Sequence, residues 1–364
     1  LNNYRDQIRQ AIRQAVATHR GPVEVLRMLM TGAVEGKDLQ MAEQIRSREP
    51  ELWAALRLES AGAAEQSDLD RIAEAGRSDD ALTWPGLNGA IVDALVRHGI
   101  NPAGPGPSVA TMGDETPWNR AFRPPLSGLW NPLHSEAVIE YQQRSRIATA
   151  RHVAIAMFDS AGRDSESTAV GYLDSSAPLG QDWPLGSDLA TEIRASAIRI
   201  LGAARRLEGV HGYSSTEAPR VLKSYLRVVG ELQGVDPDVL WDALRNDLQS
   251  SKSISVDPLE LRTISLDAPL VVRPPGTSRW TCVNCATRHL QPSAGVCTRA
   301  GCNSTNLVEE PLEDGVDYYS WLATRPLRRM AVAELTGQTA VLEQRDRQRR
   351  FRGALRSAPA ENHL

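Results

Sequence analysis

The sequence predicts a mainly α-helical chain with small β elements, an α+β class. Three observations lead there. Apolar residues recur at helical spacing through most of the chain up to Leu248, β-prone stretches follow from Ile254 to Val272, and four cysteines cluster within 21 positions, with none elsewhere. At 364 residues the chain is long enough for two or three domains of about 100–150 residues each. The divisions read from its pattern are 1–100, a helical module; 101–187, a proline- and aromatic-rich loop followed by a long helix; 188–275, a winged-helix-like module; 276–312, a four-cysteine ribbon; and 313–364, a basic C-terminal stretch.

In the first module, Ile8, Ile12, Val16, Val23, Leu26 and Leu29 recur at spacings that fit helices broken near Gly21-Pro22. Glu51 to Leu58 and Ser67 to Ala75 keep the same pattern. Leu87 to His98 places Ile91, Leu95 and Val96 on one side before Gly99 supplies a stop. The segment Asn101 to Pro107 contains three prolines and two glycines, so it propagates neither a helix nor a central strand. Trp118, Phe122 and Trp130 then mark an irregular aromatic stretch expected to pack as a long loop, and Glu136 to Asp159 reads as one long helix.

Asp188 to Leu207, Glu217 to Leu232 and Pro237 to Leu248 read as three amphipathic helices, with Pro237 where a first helical turn tolerates it. Ile254, Val256, Leu259, Leu261, Ile264, Leu266 and Leu270 to Val272 are short β-prone stretches. Three helices followed by a two-stranded element is the order of a winged helix. Neither the third helix nor the strands carry a basic cluster, which weighs against DNA contact there.

Composition narrows function only a little. The formal charge is −4, so nucleic-acid binding has to come from a local patch. Of 41 basic residues only Lys37, Lys223 and Lys252 are lysines, which leaves guanidinium groups suited to carboxylate or phosphate. No apolar run approaches the roughly 20 residues of a membrane span, and Leu1 to Arg20 lacks a secretory core. The expectation is a cytoplasmic chain without membrane contact.

The strongest chemical signal is Cys282-x2-Cys285, an eleven-residue connection, then Cys297-x4-Cys302. Two such knuckles let four thiolates converge on one zinc ion at about 2.3 Å, with Trp280, Thr281, Val283, Pro292 and Val296 expected in the small strands that align them. Four thiols leave no open coordination position, so the ion is expected to fold the segment and not to activate water. A redox pair is the competing reading of one CxxC; the second pair argues against it. His289 could displace one thiol as a ligand, but its place between the knuckles makes a surface position the expectation.

Other motifs are weaker. Gly32 to Asp38 superficially resembles a phosphate loop, but its glycines are one residue too close and Asp38 stands where Ser or Thr belongs, so it reads as a helix-ending turn. Asp159, Asp164 and Glu166 could gather magnesium for nuclease chemistry; a loop with Arg163 pairing locally is the plainer expectation. His134 and His152 have no second ligand at useful spacing. The last stretch is arginine-rich, and Arg345, Arg349 and Arg350 are its candidate nucleic-acid contacts. A solvated helix face, with Glu343 and Asp346 as partners, is the alternative.

Ala333 to Thr339 (Ala-Glu-Leu-Thr-Gly-Gln-Thr) and Gln344 to Gly353 resemble the opening of the second motor domain in large superfamily-2 helicases. Asn101 to Ser108, Gly162 to Ser167 and Trp280-Thr-Cys-x2-Cys are similar to segments between the motor halves of DEAD/DEAH-box helicases of bacterial anti-phage defence systems, Druantia-like or DISARM-like. The resemblance implies that residues 313–364 begin a RecA-like domain and that the chain is an interior region between two motor domains. It also implies DNA, the remaining helicase domains or defence-system subunits as partners. The phosphate loop, the Asp-Glu-x-His/Asp box and the arginine motif do not occur in the sequence, so ATP and Mg2+ would enter only through motor parts outside it, and ATP hydrolysis by this chain alone is not expected. The alternative is a stand-alone zinc-ribbon DNA-binding or adaptor protein without a motor.

Overall fold

The structure, a computed structural model, describes residues 2–33, 36–79, 81–112, 116–122, 136–159, 162–210, 215–265 and 267–312. The expected start of a RecA-like domain, with Arg345, Arg349 and Arg350, lies outside the described residues, as do Trp130 and His134. The architecture is mixed α/β with small antiparallel sheets.

The helices are α1 (Asn2–Thr18), α2 (Pro22–Met30), α3 (Gly36–Arg48), α4 (Pro50–Ser60), α5 (Gln66–Asp79), α6 (Trp84–Arg97), α7 (Glu136–Met157), α8 (Ser187–Ala203), α9 (Arg220–Gln233) and α10 (Pro237–Ser250). Prolines open α2, α4 and α10, where a missing N–H costs nothing. The side chains of Thr83 and Asp236 cap α6 and α10. Gly32 adopts a left-handed φ of 69° just after α2, and α3 opens at Gly36, so the first glycine of the phosphate-loop look-alike follows the end of one helix and its second starts another.

Helices α2 to α5 share a small core of Leu26, Leu52, Ala55, Leu56 and Ile72. A much larger core takes in Ile8 and Ile12 of α1, Trp84, Leu87, Ile91 and Leu95 of α6, and the apolar faces of α7 to α10. It continues into Ala294 and Val296 of the cysteine-bearing segment. Met112, Ala121, Val138 and Tyr141 form a satellite cluster, in which Phe122 stands edge-on to both Trp118 and Tyr141.

The strands are β1 (Leu82–Thr83), β2 (Tyr172–Ser175), β3 (Ile254–Val256), β4 (Leu259–Leu261), β5 (Leu270–Arg273), β6 (Ser278–Cys282), β7 (Arg288–His289) and β8 (Leu307–Pro311). β3 and β4 form an antiparallel hairpin directly after α10. β5 does not extend that hairpin; it runs antiparallel between β1 and β2, pairing Leu82 with Val272 and Leu173 with Val272 from its two sides. The third sheet has the order β7-β6-β8 and carries the cysteines.

A buried charge network fastens α8 to the central sheet. Arg194 donates to Asp174 at 3.1 Å and to the Ser175 and Ala177 carbonyls, and lies 3.7 Å from Asp247. Asp174 also accepts from Arg273 at 3.0 Å. Removing one member of such a set leaves an uncompensated buried charge, which costs about 3–5 kcal/mol.

Candidate metal centre

β6 delivers Cys282 to a tight turn in which the Cys282 carbonyl accepts from the Ala286 N–H at 2.8 Å and the Cys282 N–H donates to the Thr287 carbonyl at 2.9 Å. Ala286, just after Cys285, takes a left-handed φ of 57°. The second turn lies around Arg299 to Asn303. Cys302 N–H donates to the Arg299 carbonyl at 3.0 Å, and Gly301 and Asn303 both have positive φ.

The result brings all four predicted cysteines together, with their sulfurs within 4.8 Å of one another. Cys282 and Cys302 sulfurs are 3.7 Å apart, and those of Cys285 and Cys297 are 3.6 Å apart. Four sulfurs each about 2.3 Å from one tetrahedral zinc ion stand about 3.8 Å from each other, so the donor set and its spacing fit a metal ion such as zinc. All four positions are sulfur, which closes the coordination shell. Among the described residues no other group of His, Cys, Asp and Glu is gathered this way.

The thiols sit in unequal surroundings. Burial pushes the Cys282 and Cys297 thiols up, despite backbone N–H donors from Asn284 and Cys285 to the one and from Arg299 to the other. Burial also raises Cys285, but Thr287 and the neighbouring thiols more than offset it and hold that thiol at about 6.

The strand expectations were met only in part. Trp280 and Thr281 lie in β6, whereas Val283, Pro292 and Val296 are outside the strands; Val296 is instead buried in the main core. His289 corrects the surface expectation: it is fully buried in β7, paired across the ladder with Trp280. Its Nδ1 lies 2.9 Å from the Arg199 guanidinium, so Nδ1 accepts, and burial together with that charge keeps the ring well below its ordinary pKa and neutral.

Arg199 is the centre of a cluster that joins the ribbon to the helical body. From α8 it donates to Asp164 at 2.9 Å, Glu166 at 2.8 Å, and the Arg288 carbonyl at 2.9 Å. Glu166 also accepts from the Leu290 N–H at 3.3 Å. Burial raises Glu166 to about 7 against the opposing Arg199 guanidinium, and the Asp164 carboxylate adds to the rise. The acidic loop is thus tied by distant arginines: Asp164 and Glu166 by Arg199, and Asp159 by Arg9 and Arg205.

A second polar seam lies deeper. Ser293 and Ser196 hydroxyls are 2.8 Å apart, Tyr225 donates to the Ser293 carbonyl at 3.1 Å, and Gln291 donates to Ser196 at 2.9 Å. The Ala294 N–H donates to Glu192 at 2.8 Å. Periodicity alone did not single out Arg199, Ser196 or Tyr225. The available signal was Arg194 and Arg199 interleaved with Ile193, Ala195, Ile198 and Ile200, charges placed on a helix too apolar to be solvated all round.

No protein-family model, curated protein or solved structure matches the chain. Among the described residues no helix is long and apolar enough to cross a membrane.

Proposed function

We propose that this chain is a zinc-ribbon accessory module of an ATP-dependent DNA helicase, contacting DNA or partner subunits while the motor chemistry resides elsewhere. The observation that carries the non-catalytic part is the closed four-sulfur centre wired into the helical body through Arg199 and Ser293. A metal with four protein ligands has no position for substrate or water, so its contribution is rigidity. Zinc is the ion that best suits four thiolates at this spacing, and reduced thiols suit a reducing compartment such as the cytoplasm. The helicase part rests on the sequence resemblance around Asn101 to Ser108, Gly162 to Ser167, Trp280 to Cys285 and Ala333 to Gly353.

Within this reading α8, α9, α10 and the β3–β4 hairpin form a winged-helix-like unit used as scaffold. The exposed side of α10 carries Asp238, Asp242 and Arg245, a net negative surface unsuited to a DNA groove. The same observation favours a second reading, an adaptor without motor or DNA contact. Fluorescence anisotropy with single-stranded and duplex DNA across a salt series, on protein with its zinc content assayed, separates the two. Salt-dependent binding is expected for the accessory module. Protein with one zinc per chain that binds neither DNA at low salt would leave the adaptor.

A further inference from the structure

We infer that the outward face of the second half of α7 is a nucleic-acid-binding surface, one on which Arg144, Arg146 and Arg151 take the phosphates of a DNA duplex. This deepens the nucleic-acid reading above and rests on it. With a formal charge of −4, the chain needs a local basic patch to hold a polyanion. From Tyr141 to Met157 the helix carries these three arginines and no aspartate or glutamate. All three are exposed. Arg144 and Arg151 stand two turns apart on one flank of the face and Arg146 on the other, with Ile147, 38% exposed, between them.

These charges are not spent inside the protein. Among the described residues no carboxylate lies within ion-pair distance of any of the three, and that includes Glu140, one turn before Arg144. Arg144 stacks over the Tyr141 ring at 5.3 Å, which leaves the N–H edge of its guanidinium open to an acceptor. Arg151 lies against Gly209, where an added Cβ would come within 2.8 Å of it; neighbouring Glu208 gives its carboxylate to the Ile264 and Ser265 N–H groups. Asp159, beyond the end of the helix, is held by Arg9 and Arg205. His152 reports the resulting field: burial, and then the charges of Arg5 and Arg151, hold its ring below the ordinary pKa. An acidic protein would also match these arginines. DNA fits better, because the large apolar side chains that α7 exposes are Ile139 and Ile147, more than two turns apart, and a stable protein interface has a contiguous apolar centre.

The test is binding of a labelled DNA duplex to the full chain across a salt series, with zinc assayed in each preparation. Arg144→Gln/Arg146→Gln/Arg151→Gln should weaken binding about tenfold or more and lower the salt dependence by about three contacts, at unchanged zinc content and helicity. Lys223→Gln/Arg227→Gln removes exposed α9 charges that are already ion-paired, with Glu217 and Glu231, and should change affinity by less than about twofold. If the wild type binds and the triple variant keeps its affinity and salt dependence, the face assignment is overturned while the nucleic-acid reading stands. An equal loss in both variants would show that net charge and not this face holds the duplex, which overturns the assignment as well. A wild type that binds no duplex at low salt removes both readings, and arginine-dependent binding of labelled polyglutamate in its place would make the face a docking site for an acidic protein.

Discussion

The α2–α5 helices and the cysteine ribbon solve the problem of a small core in opposite ways. The helices bury Leu26, Leu52 and Leu56 against one another and keep their ion pairs outside, such as Arg27 with Glu59 at 2.8 Å. The ribbon has little apolar interior of its own. It lends Ala294 and Val296 to the body's core and holds its position through buried polar groups, Arg199, Glu166, His289 and Ser293. The first region should therefore respond locally to damage, while damage to the second should spread into the body.

Metal removal is the most severe way to break this comparison. Structural zinc sites are worth about 10–16 kcal/mol in small peptides, so chelation should unfold residues 278–312. Because Tyr225 and Ser196 hold Ser293, loss of amide protection should extend into α8 and α9, while α2 to α5 stay protected. Hydrogen exchange with and without chelator reads this directly, and a ribbon that remains protected would show that the metal is dispensable to its fold.

Arg199→Ala comes next. It removes the guanidinium that Asp164 and Glu166 share, and a loss of about 3–5 kcal/mol is expected in denaturant unfolding, accompanied by weaker zinc retention. If zinc retention is unchanged, the body does not hold the ribbon through this residue. Leu56→Ala, at a position 1% exposed, should cost about 2–5 kcal/mol and leave zinc retention untouched. Spreading of that effect to the ribbon would collapse the distinction between the two regions.

Glu166→Gln should have the smallest effect, visible mainly as a pH trend. With the folded pKa raised to about 7 from 4.5, the native state binds the proton more tightly than the unfolded chain. The carboxyl therefore contributes stability at low pH that is lost as pH rises through that interval. Glutamine mimics the protonated form, so the stability of the variant relative to wild type should increase between pH 5 and pH 7. A difference that does not change with pH would mean Glu166 stays ionised beside Arg199.

What the sequence made legible follows the same division. Helices such as α1, α6 and α10 could be placed because their apolar positions repeat within one segment and their proline or glycine boundaries are local. The cysteines could be grouped for a similar reason, since ligand spacing is local chemistry. α3 escaped notice because its sequence, rich in polar residues, has little apolar contrast. β1 and β2 are too short to show alternation, and only β5, far along the chain, makes them strands. The burial of His289 depended on Arg199, a partner 90 residues away.

That central sheet also has a bearing on how the chain is made. β1 and its partner β5 are separated by 190 positions at the Leu82–Val272 pair. At a ribosomal rate of about 5–20 residues per second, β1 would emerge roughly 10–40 seconds before the strand that completes it. During that interval the nascent chain exposes unpaired backbone at β1 and then at β2, while α8 to α10 emerge and join the core begun by α1, α6 and α7. Synthesis of β5 is the step that closes this window, which makes the early chain a natural client for a chaperone that shields strand edges.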